Sequence, residues 1–509
     1  MTANNRIAQV LGPLDQILTP LGTILFCLIG WAIFAPFSSS LLGMGLCWWG
    51  IGLLLIAIQL ERPWLSVLPF PPLTVLMLHL VLRWVLGGML LLVSQSGTAD
   101  VQIWIDNVAS ALPLNAAMSS ALILVGCLWN WKIIRKYPAP LSAPPAQNTP
   151  GHFSRRNLLT LALITGVIAI GYTYVGFFSG TLDRGASYLD WAGKLWKPDT
   201  LFSALIKLRD LYFLILPWLL LEWRDKKWIS ILFGSVTISS LVLSMSLGGR
   251  GLILYPALLL IGGLWLAGCS TKVMRWLISF ALISSIVITI LLPITRNQAI
   301  FQSSGVMDLA GRWMALKQSI PEIAKPESLS LLGRDLYAWS DPYLFREPGL
   351  SQPPAGNKRL GNLFYLWIPK LLKPDRPEIN DGHLIAKEII GAPTAGMHEG
   401  RHIWFPGVSL AADLYWRFRW PGVILGSLIF AILFNGFARL WYRFASLKQG
   451  TASMLIALYP TTFLQGPPLR SISETVWNWG YELPKYAIIL ICIYFLINYF
   501  NRHDSTTQH

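Results

Sequence analysis

Leu41–Leu60 reads LLGMGLCWWGIGLLLIAIQL, twenty residues without one charged side chain. A hydrocarbon layer about 30 Å thick is crossed by roughly 20 helical residues, so this stretch by itself fits a membrane-spanning helix. The signal recurs on both sides of it. Apolar runs bounded by charge occupy 18–37, 41–60, 73–93, 112–131, 158–178, 201–221, 229–247, 252–267, 276–295, 420–440, 451–464 and 486–500. The eleventh is short, contains Pro460 and suits a re-entrant segment. The expectation is an all-α polytopic membrane protein of about twelve transmembrane helices, with a large external loop domain between helices nine and ten.

Composition agrees. The 509 residues are 54% hydrophobic and only 13% charged, with a mean hydropathy of +0.52, which excludes a string of soluble domains. A net charge of +15 would raise the question of nucleic acid in a soluble chain. Here it sorts by side. With the N-terminus inside, alternate connections contain Arg62, then Lys132, Arg135, Lys136, Arg155 and Arg156, then Arg224, Lys226 and Lys227, then Lys272 and Arg275, then Arg439, Arg443 and Lys448. The opposite short connections contain only Arg184, Lys194, Lys197, Arg250 and Arg470. The positive-inside rule then places both termini in the cytoplasm and leaves no nucleic-acid partner to expect.

This divides the chain into helices one to four (1–137), a cytoplasmic linker (138–157) that is Pro- and Ala-rich over 138–150, helices five to nine (158–295), the external segment (296–419), and helices ten to twelve with a cytoplasmic tail (420–509). The external segment has nearly balanced charge and many Pro, Gly and aromatic residues, which favours a folded, partly membrane-associated cap over a disordered linker. Cys27, Cys47, Cys127, Cys269 and Cys492 all lie in apolar runs without CxxC spacing, so neither a disulfide frame nor a zinc site is expected. No short apolar region followed by a small-residue cleavage site marks a signal peptide.

The familiar tools of nucleotide and hydrolytic chemistry are missing. There is no GxxxxGK[ST] loop, no GxGxxG after a strand, no Asp-x-Asp pair and no GxSxG; the HExxH spacing occurs once, at 398–402, in the outer loop segment rather than in a helical run, and no metal and no cofactor is expected. An enzyme of this kind needs a donor already activated in the lipid; otherwise the chain is a transporter or receptor.

Polar residues at or inside the apolar runs supply the candidates. Arg250 sits in Ser246-Leu247-Gly248-Gly249-Arg250-Gly251, an outer turn where flanking glycines admit a close ligand and a helix start offers free N–H groups to phosphate oxygens. Arg296 closes helix nine at the same outer level, and two such arginines could grip a pyrophosphate. The plainer reading of both is an interfacial arginine beside lipid phosphate. In helix six Lys207 and Asp210 can pair at i, i+3, leaving Arg209 on another face, toward a polar cavity or snorkelling. His79 and Arg83 share a face in the middle of helix three, as a packed polar pair or as a cavity wall. Met397-His398-Glu399-Gly400-Arg401-His402 gathers titratable groups just before the chain re-enters the membrane. His402, and after it Glu399, are the candidates for removing a hydroxyl proton, with Arg401 beside them; a solvated loop is the bland alternative.

Three blocks in order, SLGGRGLILY (246–255), IPKLLKPDRPEINDGHLIAKEIIG (368–391) and FPGVSLAADLYWRFRWPGVILG (405–426), resemble the O-antigen polymerases, the oligosaccharide repeat-unit polymerase family related to the O-antigen ligases. The likeness covers roughly the C-terminal half. There are departures: Lys370 stands where the family usually has Arg, Arg419 stands where a glycine is common, and Val408 stands about where ligases often have a histidine.

The resemblance implies a multi-pass inner-membrane glycosyltransferase acting on undecaprenyl-pyrophosphate-linked glycan delivered by a flippase, with a chain-length regulator as a further partner. Such a donor explains the missing nucleotide and metal motifs. Arg250 and Arg296 would hold the pyrophosphate, Lys370 and Arg376 would serve as loop clamps, and a base from 398–402 would deprotonate the acceptor hydroxyl. A ligase, differing in acceptor, and a transporter remain the alternatives.

Overall fold

The computed structural model describes residues 40–62, 71–94, 99–136, 155–178, 200–246, 250–267, most of 276–446, 469–482 and Phe495. Among them the chain is almost wholly helical. The helices are α1 (Leu41–Leu60), α2 (Pro72–Val93), α3 (Ala99–Lys136), α4 (Arg155–Phe178), α5 (Thr200–Glu222), α6 (Lys227–Ser246) and α7 (Arg250–Leu266), followed by α8 (Ala299–Ser303), α9 (Leu309–Glu322), α10 (Pro326–Tyr337), α11 (Gly382–Ile385), α12 (Leu410–Ser446) and α13 (Ile472–Trp477). The one ladder pairs β1 (Met397–His398) with β2 (Arg401–His402).

Among the described residues six helices are long and apolar enough to cross a bilayer: α1, α2, the stretch Val101–Leu128 of α3, Arg155–Val175 of α4, Lys227–Ser244 of α6 and Leu410–Leu440 of α12. Their outward faces are apolar too, as at Val167, Ile231 and Leu433. Water would penalise such faces and lipid would not, so the chain is a multi-pass membrane protein. The runs 18–37 and 451–464 lie outside the described residues, as does 486–500 except Phe495, and 276–295 is described only in part.

Two apolar cores form. One joins α1, α2, α3, α10 and α12 around Trp84, Trp339 and Trp416. The other joins α4, α5, α6 and α7 around Tyr212, whose hydroxyl hydrogen-bonds Thr237 at 2.9 Å. Trp479 touches both.

Three departures from the sequence reading bear on function. First, α3 begins at Ala99 and α12 at Leu410, well before the runs at 112 and 420. Their opening turns contain i, i+4 pairs that lower hydropathy yet suit a helix: Gln102 with Asp106 at 2.6 Å, and Arg417 with Asp413 at 3.0 Å. α12 breaks once, at Arg419, whose φ of 57° and ψ of −158° belong to a region that glycine alone enters freely. Just beyond, a Cβ on Gly422 would lie 2.4 Å from that of Phe418, so only glycine lets the two halves approach.

Second, α2 widens into a π turn over Val81–Leu86, where helical pitch would place Arg83. Such turns are uncommon and concentrate at functional sites. Third, the segment expected as an external cap is partly interior. α10 lies along α2, with Tyr337 so close that a Cβ on Gly87 would be 2.6 Å from its backbone nitrogen. Trp339 continues down to Arg83, whose guanidinium carbon is 5.8 Å from its ring centre. Ten residues of α2 separate Arg83 from Val93, so this wedge reaches about 15 Å along the helix from its end.

Candidate functional site

The wedge ends on a carboxylate. Asp341, fully buried, accepts from the Ser409 backbone N–H at 2.7 Å and from Asn115 Nδ2 at 3.0 Å, joining the 341–345 turn to α3 and to the start of α12. Burial pushes its pKa up to about 6, against the lowering effect of the Ser409 and Asn115 hydrogen bonds. Burial by itself also holds the neighbouring Tyr337 phenol well above its usual range, and the Asp341 charge adds to the shift.

About two turns into α12 lies a second buried group. Arg417 donates Nε to Asp413 at 3.0 Å, Nη2 to Asp381 at 2.8 Å, and Nη1 to the carbonyls of Gly356 and Lys358 at 3.0 and 2.8 Å. Asp413 also accepts from the Ile472 N–H at 2.7 Å. Burial raises the Asp381 pKa while the Arg417 charge opposes it. Every part of this guanidinium is used, and the result fastens 356–358, 381 and 472 to α12. Its job is architectural.

Between these anchors and the middle of α2 a different group assembles. His79 and Arg83 lie on α2, and both are only half-buried although they sit deep in the bundle. His79 faces the charges of Arg83 and Arg470. Arg470 arrives from the segment after the undescribed run 447–468, paired by backbone to Ser409 and lying against Gly407, where a Cβ would be 3.4 Å from its Cδ. Glu474 stands 3.6 Å from Arg470. Two nitrogens here, His79 Nε2 and Arg470 Nε, are shielded from solvent and have no hydrogen-bond partner among the described residues. Two guanidinium groups whose charges both reach one imidazole, with Glu474 beside the second, make a locally cationic group of the kind that can hold an anion such as phosphate.

The sequence paired His79 with Arg83 and left Arg470 as one of the few outer charges; the approach of Arg470 depends on long-range packing that no spacing reveals. The remaining candidates divide. Arg296 is bound to Asp335 of α10 at 3.0 Å, so its charge is already engaged. Arg250 opens α7, Arg209 lies within α5, and Arg401 and His402 form β2 opposite β1, with the side chains of all four outside the described residues. Glu399, Lys370 and Arg376 lie outside them altogether. The structure thus places the charges of Arg83 and Arg470 around His79, and pairs Arg296 with Asp335. Comparisons with protein-family models, with curated proteins and with solved structures give no match to this chain.

Proposed function

We propose that this protein is a metal-independent glycosyltransferase of the inner membrane that polymerises undecaprenyl-pyrophosphate-linked repeat units. The single observation that carries the reading is the meeting of His79, Arg83 and Arg470 at the tip of a wedge between membrane helices. Beside it stands the ordered likeness of 246–255, 368–391 and 405–426 to the polymerase family. In this reading twelve helices span the membrane with both termini cytoplasmic, and 296–419 lies outside, where a flippase delivers substrate and a chain-length regulator acts.

The chemistry needs no cofactor. The acceptor sugar hydroxyl attacks the anomeric carbon of the growing glycan, the bond from that carbon to the pyrophosphate oxygen breaks, and the hydroxyl proton passes to a base. His402 and then Glu399 are the groups we place in that role. Charge builds on the departing pyrophosphate, and fixed cations in a low-dielectric site stabilise it without reorganising. Arg83 and Arg470 take this part, with Arg250, Arg296, Lys370 and Arg376 as further holds; Arg296 also ties α10 through Asp335.

Deleting the gene and sizing the surface glycan tests the proposal. Collapse of long chains to single repeats is the expected result. Accumulation of free lipid-linked polymer would favour a ligase, and an unchanged glycan would remove the enzymatic reading.

A further inference from the structure

α9 is built inside out for a helix in water. The side chains it turns to the protein are small or polar: Gly311, Ala315, Ser319 and Arg312 are buried. Those it turns away are large and apolar: Leu309 is 44% exposed, Trp313 65% and Ile320 58%. At about 100° per residue, Leu309, Trp313 and Ile320 fall within about 40° of one another, a single stripe. On the same scale exposed Lys317 lies about 40° beyond the stripe and exposed Gln318 about 140° beyond it, next to the buried Gly311, with Met314, 53% exposed, between the two. The helix therefore turns small or polar residues to the protein, a bulky apolar stripe outward, and between them an exposed sector of Lys317, Met314 and Gln318.

Its inner face is firmly held, so the outward stripe is not a product of loose docking. Asp308 caps the N-terminus by accepting from the Gly311 N–H at 2.8 Å. The Arg312 guanidinium lies 4.4 Å from the centre of the Phe301 ring. α9 also packs against α6, one of the membrane-spanning helices, whose own outward residues Ile231, Ile238 and Val242 are exposed and apolar. The stripe of α9 thus belongs to a helix fixed beside a surface that already requires lipid.

We infer that α9 lies in the membrane interface, with Leu309, Trp313 and Ile320 among the acyl chains and Lys317 and Gln318 in the headgroup region. Tryptophan and lysine are suited to that boundary, the ring straddling it and the lysine stem reaching out to water. The inference needs only the membrane location of the chain, so it stands or falls apart from the proposed reaction.

Site-directed spin labelling of the full-length protein in phosphatidylcholine–phosphatidylglycerol liposomes tests it. Cys27, Cys47, Cys127, Cys269 and Cys492 would be replaced, and Leu309→Cys, Trp313→Cys, Ile320→Cys and Gln318→Cys introduced one at a time. At the first three positions the ratio of collisions with oxygen to collisions with a water-soluble nickel chelate should exceed that at Gln318→Cys several-fold. A ratio equal to that at Gln318→Cys would put the stripe in water and overturn the inference. Loss of both kinds of collision would cover it with protein and overturn it equally. Should the cysteine-free background fail to fold, p-benzoylphenylalanine at Trp313 in the native chain gives the second measurement: photoadducts with lipid are expected, and adducts only with protein, or none, contradict the assignment.

Discussion

Two arginines of this protein sit a short way apart in the fold and are treated in opposite ways. Arg417 is enclosed and meets two carboxylates and two carbonyls, with a bond from each of its three nitrogens. Arg470 is half-exposed, meets one carboxylate at 3.6 Å, and keeps a shielded Nε with no hydrogen-bond partner among the described residues. A buried cation that is fully bonded holds chain segments together; one gathered with a second arginine and a histidine is organised for a ligand. That difference is why the proposed function is placed at His79, Arg83 and Arg470, and architecture at Arg417.

The comparison can be broken at several points. The largest effect is expected from Arg417→Ala, which strands Asp413 and Asp381 without a counter-charge in the interior; a loss of about 3–5 kcal/mol is typical of such a cut. The variant should be scarcely recoverable as folded protein in detergent, and a wild-type unfolding temperature would contradict the clamp. Next comes Asp341. Its folded pKa of about 6 stands above its ordinary 3.8, so the folded state binds the proton more tightly. The associated stability is fully present below about pH 3.8 and is lost as pH rises through 6, a difference of about 3 kcal/mol at neutral pH. Wild-type protein should therefore gain more thermal stability than Asp341→Asn when pH falls from 7.5 to 5, and equal pH slopes would refute this.

Smaller effects mark the other side. Arg470→Ala removes a partly exposed ion pair and should cost less than about 1 kcal/mol, leaving folding intact. Arg419→Gly relieves a backbone conformation worth about 1–3 kcal/mol but loses the Arg419 hydrogen bond to the Gln352 carbonyl at 2.8 Å, so the net change should lie within about 1 kcal/mol of zero. Arg419→Ala keeps the strain and loses the bond, costing about 2 kcal/mol by the same reckoning. Equal unfolding midpoints for the two variants would remove strain at this break from the account.

Much of the scaffold was legible in the sequence because lipid imposes a simple rule of length and apolarity, which α1, α4 and α6 obey. It failed where a helix carries charge that it satisfies internally: Asp413 and Arg417 neutralise each other within one turn, yet a hydropathy scan counts both against a helix. The break at Arg419 was not foreseen, because an arginine gives no local sign of the positive φ that it adopts there. Of the site, His79 and Arg83 were readable from their i, i+4 spacing. Arg470 was not, because it reaches them through pairing with Ser409, sixty-one positions earlier. The dipping of 326–345 beside α2 was equally hidden: a run of mixed polarity with Pro and Gly looks external, and its interior placement rests on Gly87 and Gly333 admitting close backbone contact.

The most direct test of the central claim is the length of surface glycan made by cells whose own gene is deleted and replaced by Arg83→Ala or Arg470→Ala, at membrane levels equal to wild type. Single repeats in place of long chains are predicted for both variants. Wild-type chain lengths in either one would contradict the assignment of the reaction to this cluster.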